Sequence, residues 1–239
     1  MRSEPVRADL PAFDAIASAY DAWYATPVGR LTDELERRAV FSLVPAQPGW
    51  AADLSCGTGH YALELARRGW RVVGIDRSLP MLRVATRKLR RSDAAPPFFV
   101  QADAALLPLR AESLNLVTVI LGLEFTADPA AVLREVRRVL AARGVLVVAV
   151  LRARGLWNRW RRVKRHLVTS IWTEACFFEE AELETLLRAH GFTPGVRRRC
   201  IHYVPWPSSR RLLGAWERMA GRWFPELAAF LTMRSERTG

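Results

Sequence analysis

Asp53-Leu-Ser-Cys-Gly-Thr-Gly-His-Tyr-Ala-Leu-Glu-Leu65 is the stretch that decides the fold. Ala51-Ala-Asp-Leu reads as the end of a strand, Gly57 and Gly59 permit a tight turn, and Tyr61–Arg68 carries a helical pattern. A helix starting at such a turn presents free N–H groups and its positive dipole end to a ligand. The next strand, Arg71-Val-Val-Gly-Ile, closes on Asp76, whose carboxylate can accept from ribose hydroxyls. Gly57-x-Gly59-x-x-Ala62 with Asp76 also satisfies the dinucleotide fingerprint. Against a dinucleotide stands Asp53, one turn before the glycines, where a carboxylate repels a pyrophosphate and welcomes a cation. Gln101-Ala-Asp103-Ala adds an acid at the end of a third strand, able to accept from an adenine amino group.

Outward from this turn, short apolar runs alternate with helical patterns from Trp50 to Leu151. Helices are expected at Leu79–Arg91 and Pro129–Ala141, and strands at Phe98–Gln101, Leu114–Leu121 and Val145–Leu151. The alternation predicts right-handed βαβ units in a Rossmann-like, doubly wound, mostly parallel sheet of the α/β class. Two amphipathic helices, Ala12–Ala25 and Leu31–Val44, precede the core, so residues 1–45 are expected to form a helical lid and 46–239 the core. An insertion at 152–178, a helix at Glu179–His190 and a strand at Val196–Val204 follow. A second insertion at 205–224 carries the helix Ser208–Arg222, and Ala228–Arg234 is read as the last strand. Both insertions are candidates for a cap over substrate.

As a set, these motifs resemble the class I S-adenosylmethionine-dependent methyltransferases, in the small-molecule branch of the ubiquinone and menaquinone C-methyltransferases. The set comprises Asp53–Gly59, Gly74-Ile-Asp-Arg-Ser-Leu-Pro-Met-Leu, Gln101–Leu109, Asp128–Leu140, Gly144–Val148 and Phe177–Leu183 with Gly191-Phe. The resemblance implies a seven-stranded sheet and the cofactor S-adenosyl-L-methionine, with S-adenosyl-L-homocysteine as product. Carried over, Asp53, Ser55, Gly57 and Gly59 would line the methionine end, and Asp76, followed by Arg77, would hold the ribose. Met81 would pack on adenine, with Asp103 and Ala104 at its edge, and Leu121 would sit beside the sulfonium arm. Ser55 departs from the pattern, which has glycine there; its Cβ is tolerated if φ stays negative.

Methyl transfer from a sulfonium is an in-line displacement that needs positioning, desolvation and, for some acceptors, a base. Tyr20, Trp23 and Tyr24 share one helical face, suited to a sulfonium through cation–π attraction or to plain packing of the lid; Tyr20 is the candidate that contacts the chemistry. His60, directly after the turn, reads as a general base or as a plain helix-start residue. Glu124 reads as facing the acceptor or as a solvated loop acid. The four histidines lack ligand spacing, so no metal is expected.

Composition bounds the rest. The chain of 239 residues is half hydrophobic, and its longest clean apolar run, Val145–Leu151, is far too short for a membrane span. Without a signal-like start and with three widely spaced cysteines, a reducing cytoplasm is expected. The formal charge is +12, of which residues 151–239 hold +9. Arg152–His166 has seven Lys/Arg, two Trp and no acid, so it is a candidate for peripheral contact with an anionic membrane, or a solvated cap. The same charge supports, as an alternative, a nucleic-acid methyltransferase, although no dedicated nucleic-acid module or target-base motif appears. An NAD-dependent oxidoreductase rests on the glycine spacing alone. The expected partner is a small, lipophilic or anionic methyl acceptor, its identity and the oligomeric state left open.

Overall fold

The computed structural model describes residues 10–89, 95–164, 175–204 and 210–238. Seven strands form one sheet in the order β3-β2-β1-β4-β5-β7-β6: β1 (Trp50–Leu54), β2 (Arg71–Asp76), β3 (Phe98–Gln101), β4 (Leu114–Ile120), β5 (Leu140–Leu151), β6 (Phe192–Cys200) and β7 (Phe230–Arg237). The first five run parallel, and β7 is antiparallel to both neighbours. Helices α1 (Leu10–Ile16), α2 (Pro27–Phe41), α3 (His60–Arg67), α4 (Leu79–Arg87), α5 (Pro129–Val139), α6 (Leu156–Lys164), α7 (Glu180–Ala189) and α8 (Arg210–Trp223) surround it.

Covering both faces explains the strand composition. Val117, Val119, Leu146, Val148 and Val150 turn to one core with Leu133 and Val136 of α5, while Leu116, Val145 and Val147 turn to another with Val40 and Leu65. Helix starts follow local chemistry. Thr26 caps α2 by accepting from Gly29 N–H at 2.9 Å, with Pro27 at the position where a missing N–H costs nothing. Ser78 and Asp128 cap α4 and α5 in the same way. Glu179 and Glu182 form a reciprocal capping box on α7.

The expected lid helix Ala12–Ala25 is broken. It ends at Ile16, and Tyr20–Ala25 forms a 3-10 turn. Two carboxylates tie the broken segment to the core: Asp14 accepts from the Ser78 hydroxyl at 2.5 Å, and Asp21 accepts from the Thr58 hydroxyl at 2.8 Å and pairs with Lys88. The second helix begins at Pro27, four residues before Leu31. Among the insertions, 165–174 and 205–209, hence His166 and Ser208, lie outside the described residues.

Candidate active site

The order of the strands reverses between β1 and β4, and the crevice beyond their carboxyl ends is where such sheets take ligands. A cavity of about 260 Å³ lies there. Its sheet-side wall holds Asp53, Ser55, Gly57, Asp76, Arg77, Met81, Asp103, Ala104 and Leu121; the facing wall includes Phe13, Tyr20, Tyr24 and Glu36 of the N-terminal elements with His60 and Tyr61 of α3.

Each wall is shaped by its backbone. Ser55, Gly57 and Gly59 all adopt left-handed φ, at 56°, 52° and 77°. The expectation that Ser55 keeps a negative φ is therefore overturned. The turn must wind left-handed there to bring Cys56 N–H onto the Ile75 carbonyl at 3.0 Å, and the serine carries the strain that a glycine would avoid. Leu121, at φ 53°, repeats the feature across the cavity, where a side chain on Gly122 would strike the Ser55 Cβ and Oγ at 2.8 Å. The two loop glycines do different work. A Cβ on Gly57 would meet nothing within 4 Å, so its face is open to the cavity. A Cβ on Gly59 would strike Phe99 and Ala85, so Gly59 packs α3 against the sheet, off the cavity lining.

Asp53 is buried; its Oδ1 accepts from Thr118 at 2.7 Å, while its Oδ2 has no hydrogen-bond partner. Burial pushes it up to about 7, against the pull of the Thr118 hydroxyl and the nearby Ala62 amide. Asp76 accepts from Gly57 N–H at 2.7 Å and Ser78 N–H at 2.8 Å, and burial outweighs these bonds to raise its pKa. Asp103 and Arg77 are exposed at the rim, 3.7 Å apart. Met81 lines the wall with little of its side chain exposed.

On the facing wall, Tyr20 and Tyr24 meet edge to face, and Tyr24 stacks on the His60 ring with centroids 4.7 Å apart. His60 Nε2 bonds Asp33 at 2.5 Å. Burial pushes the Tyr20 hydroxyl up to about 12. Glu36, which the sequence reading missed, lines the same wall and is raised to about 8 by burial and then by Asp33, with Arg161 of α6 pulling it down. The signal was present: Thr32, Glu36 and Val40 recur at four-residue spacing on the buried stripe of α2, which places an acid among core positions. Glu124 is neither on the cavity lining nor solvated. It is buried behind the wall, accepts from Leu151 N–H at 2.6 Å, and is likewise raised to about 8. Among the described residues no group of three or more His, Cys, Asp or Glu is placed to hold a metal, and no helix is long and apolar enough to cross a membrane.

Residues 52–148 match a family described as a methyltransferase domain. An uncharacterized protein of Mycobacterium tuberculosis is 32% identical over 191 residues, 79% of this chain and 62% of its own. The demethylmenaquinone methyltransferase of Thermotoga maritima is 33% identical over 141 residues, 58% of this chain and 59% of its own. The chain thus spans about three fifths of the length of these curated relatives. A crystal structure of an SAM-dependent methyltransferase from Thermotoga maritima superposes with a TM-score of 0.72 at 22% identity, covering 95% of this chain and 98% of that one.

Proposed function

Residues 52–148 being a methyltransferase domain, in a chain folded as a class I S-adenosylmethionine-dependent methyltransferase, we propose that the protein binds S-adenosyl-L-methionine and transfers its methyl group to a small, lipophilic or anionic acceptor. The observation that carries this reading is the Asp53 carboxylate, buried at the cavity with one oxygen unpartnered. Such a group calls for a cation, and the open face of Gly57 leaves room for a ligand against the backbone. The donor supplies an electrophilic methyl on a positively charged sulfur.

Asp53 and the Ser55–Gly57 turn would bind the charged methionine end, Asp76 the ribose, and Met81, Ala104 and Asp103 the adenine. Tyr20 and Tyr24 present ring faces and edges that suit a cation and exclude water. Glu36 is the group on this wall suited to take a proton from the acceptor: the positive donor beside it favours its ionised form, and a carboxylate raised to about 8 by burial is a stronger base than an ordinary one. His60, oriented by Asp33, is positioned to fix the acceptor. The aromatic wall favours an apolar acceptor, and the demethylmenaquinone methyltransferase relatives support the same class. An acid-lined cavity disfavours the pyrophosphate of a nicotinamide dinucleotide.

Thermal shift tests the donor. S-adenosylmethionine and S-adenosylhomocysteine should stabilise the chain and NAD(P) should not, and Asp76→Ala should weaken donor binding at least about tenfold, the loss of one to two charge-assisted hydrogen bonds. Stabilisation by nicotinamide cofactors alone would overturn the reading. Under donor saturation, Glu36→Gln should flatten the alkaline rise of kcat/KM; an unchanged profile removes Glu36 as base.

A further inference from the structure

The helix α8 is inserted between β6 and β7 and leaves a continuous apolar row facing out. Leu212 is 68% exposed, Trp216 41%, Met219 45% and Trp223 68%, and Phe224 follows at 46%. At about 100° per residue these four helical positions fall within an arc of roughly 60°. Arg211, Arg218 and Arg222, all exposed, fall together in a second row alongside it. Leu213, Glu217 and Ala220 form the buried face. Glu217 is the sole acid of α8, and its carboxylate is spent inward on Ile201 N–H, His202 N–H and His202 Nδ1. The indole N–H of Trp216 is held by the His202 carbonyl at 3.0 Å, which pins the ring at the surface. The next acid, Glu226, lies beyond the helix on the turn Pro225–Leu227.

From this pairing of rows we infer that α8 is a docking helix that lies in the interface of an anionic lipid bilayer. Two exposed Trp rings with Met and Leu offer apolar surface to the headgroup boundary, and the arginine row meets lipid phosphates. Charge selects this occupant over two others. A second copy would bring an identical arginine row to the same interface, where like charges oppose it. A nucleic acid would satisfy the arginines and leave the apolar row in water. A run of packed side chains also links the helix to the cavity. Leu213 belongs to the same buried cluster as Tyr203 and Trp157, and rings then follow at 6.1 Å (Tyr203–Trp157), 6.3 Å (Trp157–Trp23) and 5.3 Å (Trp23–Tyr24), ending on Tyr24 of the cavity wall.

The segment Arg152–His166, the earlier candidate for this contact, fits it less well: Trp157 and Asn158 are buried and Arg161 points toward buried acids. The test is co-sedimentation of the full chain with vesicles of phosphatidylcholine, with and without one-third phosphatidylglycerol. Binding should require the anionic lipid and weaken as salt rises. Changing Arg211, Arg218 and Arg222 together to Gln should weaken it on the order of 100-fold. Met219→Ser with Trp223→Ser should weaken it on the order of tenfold. Arg159→Gln on α6 should cost no more than about fivefold. All changed residues are exposed, so unaltered melting confirms that the variants fold. Absence of pelleting with the anionic vesicles, or pelleting that neither α8 variant reduces, overturns the proposal. So does a dimer that Met219→Ser with Trp223→Ser dissolves while vesicles go unbound. The readout does not involve the methyl donor, so such a failure leaves the methyl-transfer reading standing.

Discussion

The helices α6 and α8 have nearly the same composition, arginine and tryptophan with few acids, and the fold buries them in opposite senses. In α6, Trp157 is 6% exposed and sits among Trp23 and Tyr203, with the Arg161 guanidinium 4.5 Å over its ring. Asn158 is fully buried, donating to the carbonyls of Arg152 and Ala229 at 2.9 Å each. Arg161 lies near enough to Glu36, Tyr20 and Glu124 to feel their charge, and burial lowers its pKa to about 10. In α8 the arrangement is reversed: its acid turns inward and its largest rings turn out. Composition sets what a helix can offer. Which face finds a partner decides whether the same residues become core or surface.

Paired substitutions test that contrast, and the largest effect is expected at the tryptophans. Trp157→Ala should destabilise the chain by about 3–5 kcal/mol, because it empties a filled site, whereas Trp223→Ala should stay within about 0.5 kcal/mol. Equal losses in denaturant melts would erase the distinction. Next, Asn158→Ala should cost about 1–3 kcal/mol by removing two buried hydrogen bonds, against almost nothing for Arg159→Ala on the outer face.

A third test concerns Glu124, one of the acids that Arg161 faces. Glu124 holds its proton to about pH 8 when folded and releases it near 4.5 when unfolded. A raised carboxyl pKa lets the unfolded chain ionise first, so stability falls as pH rises from about 4.5 to 8 and levels above that. Glu124→Gln removes this term. Its melting temperature should gain on the wild type across that window, by at least ~3 °C at pH 9 relative to pH 5. An identical difference at both pH values would show that Glu124 does not titrate in this way.

The parts of the molecule that were legible in the sequence are those fixed by local pattern. Asp53 and Asp76 could be placed at strand ends because apolar runs of a parallel sheet stop where the strand leaves the core. The site residues they predicted, save Gly59 and Glu124, share one cavity lining. What failed depended on contacts distant in the chain. The expected helix Ala12–Ala25 breaks although its pattern is amphipathic, and the segment is held instead by Ser78 and Thr58, dozens of residues away. Ser55 turns left-handed because Ile75 and Gly122 dictate its loop. Glu124 accepts from Leu151 N–H, which no periodicity encodes. The inward facing of α6 likewise needed the acids of α2 and of the β4–α5 connection to be brought together.

Ser78 carries one further consequence. Its backbone N–H supports Asp76, its hydroxyl oxygen accepts from Met81 N–H at the head of α4, and its hydroxyl proton goes to Asp14 of the N-terminal segment. The first two bonds do not involve that segment. Loss of the Asp14 bond would leave these two in place, and Asp21 would still tie the N-terminal segment to Thr58 and Lys88. Asp14→Ala should therefore loosen the N-terminal segment while leaving Asp76 supported, so it should weaken donor binding less than Asp76→Ala does; equal losses in thermal shift would show that the two sets of bonds are not separable.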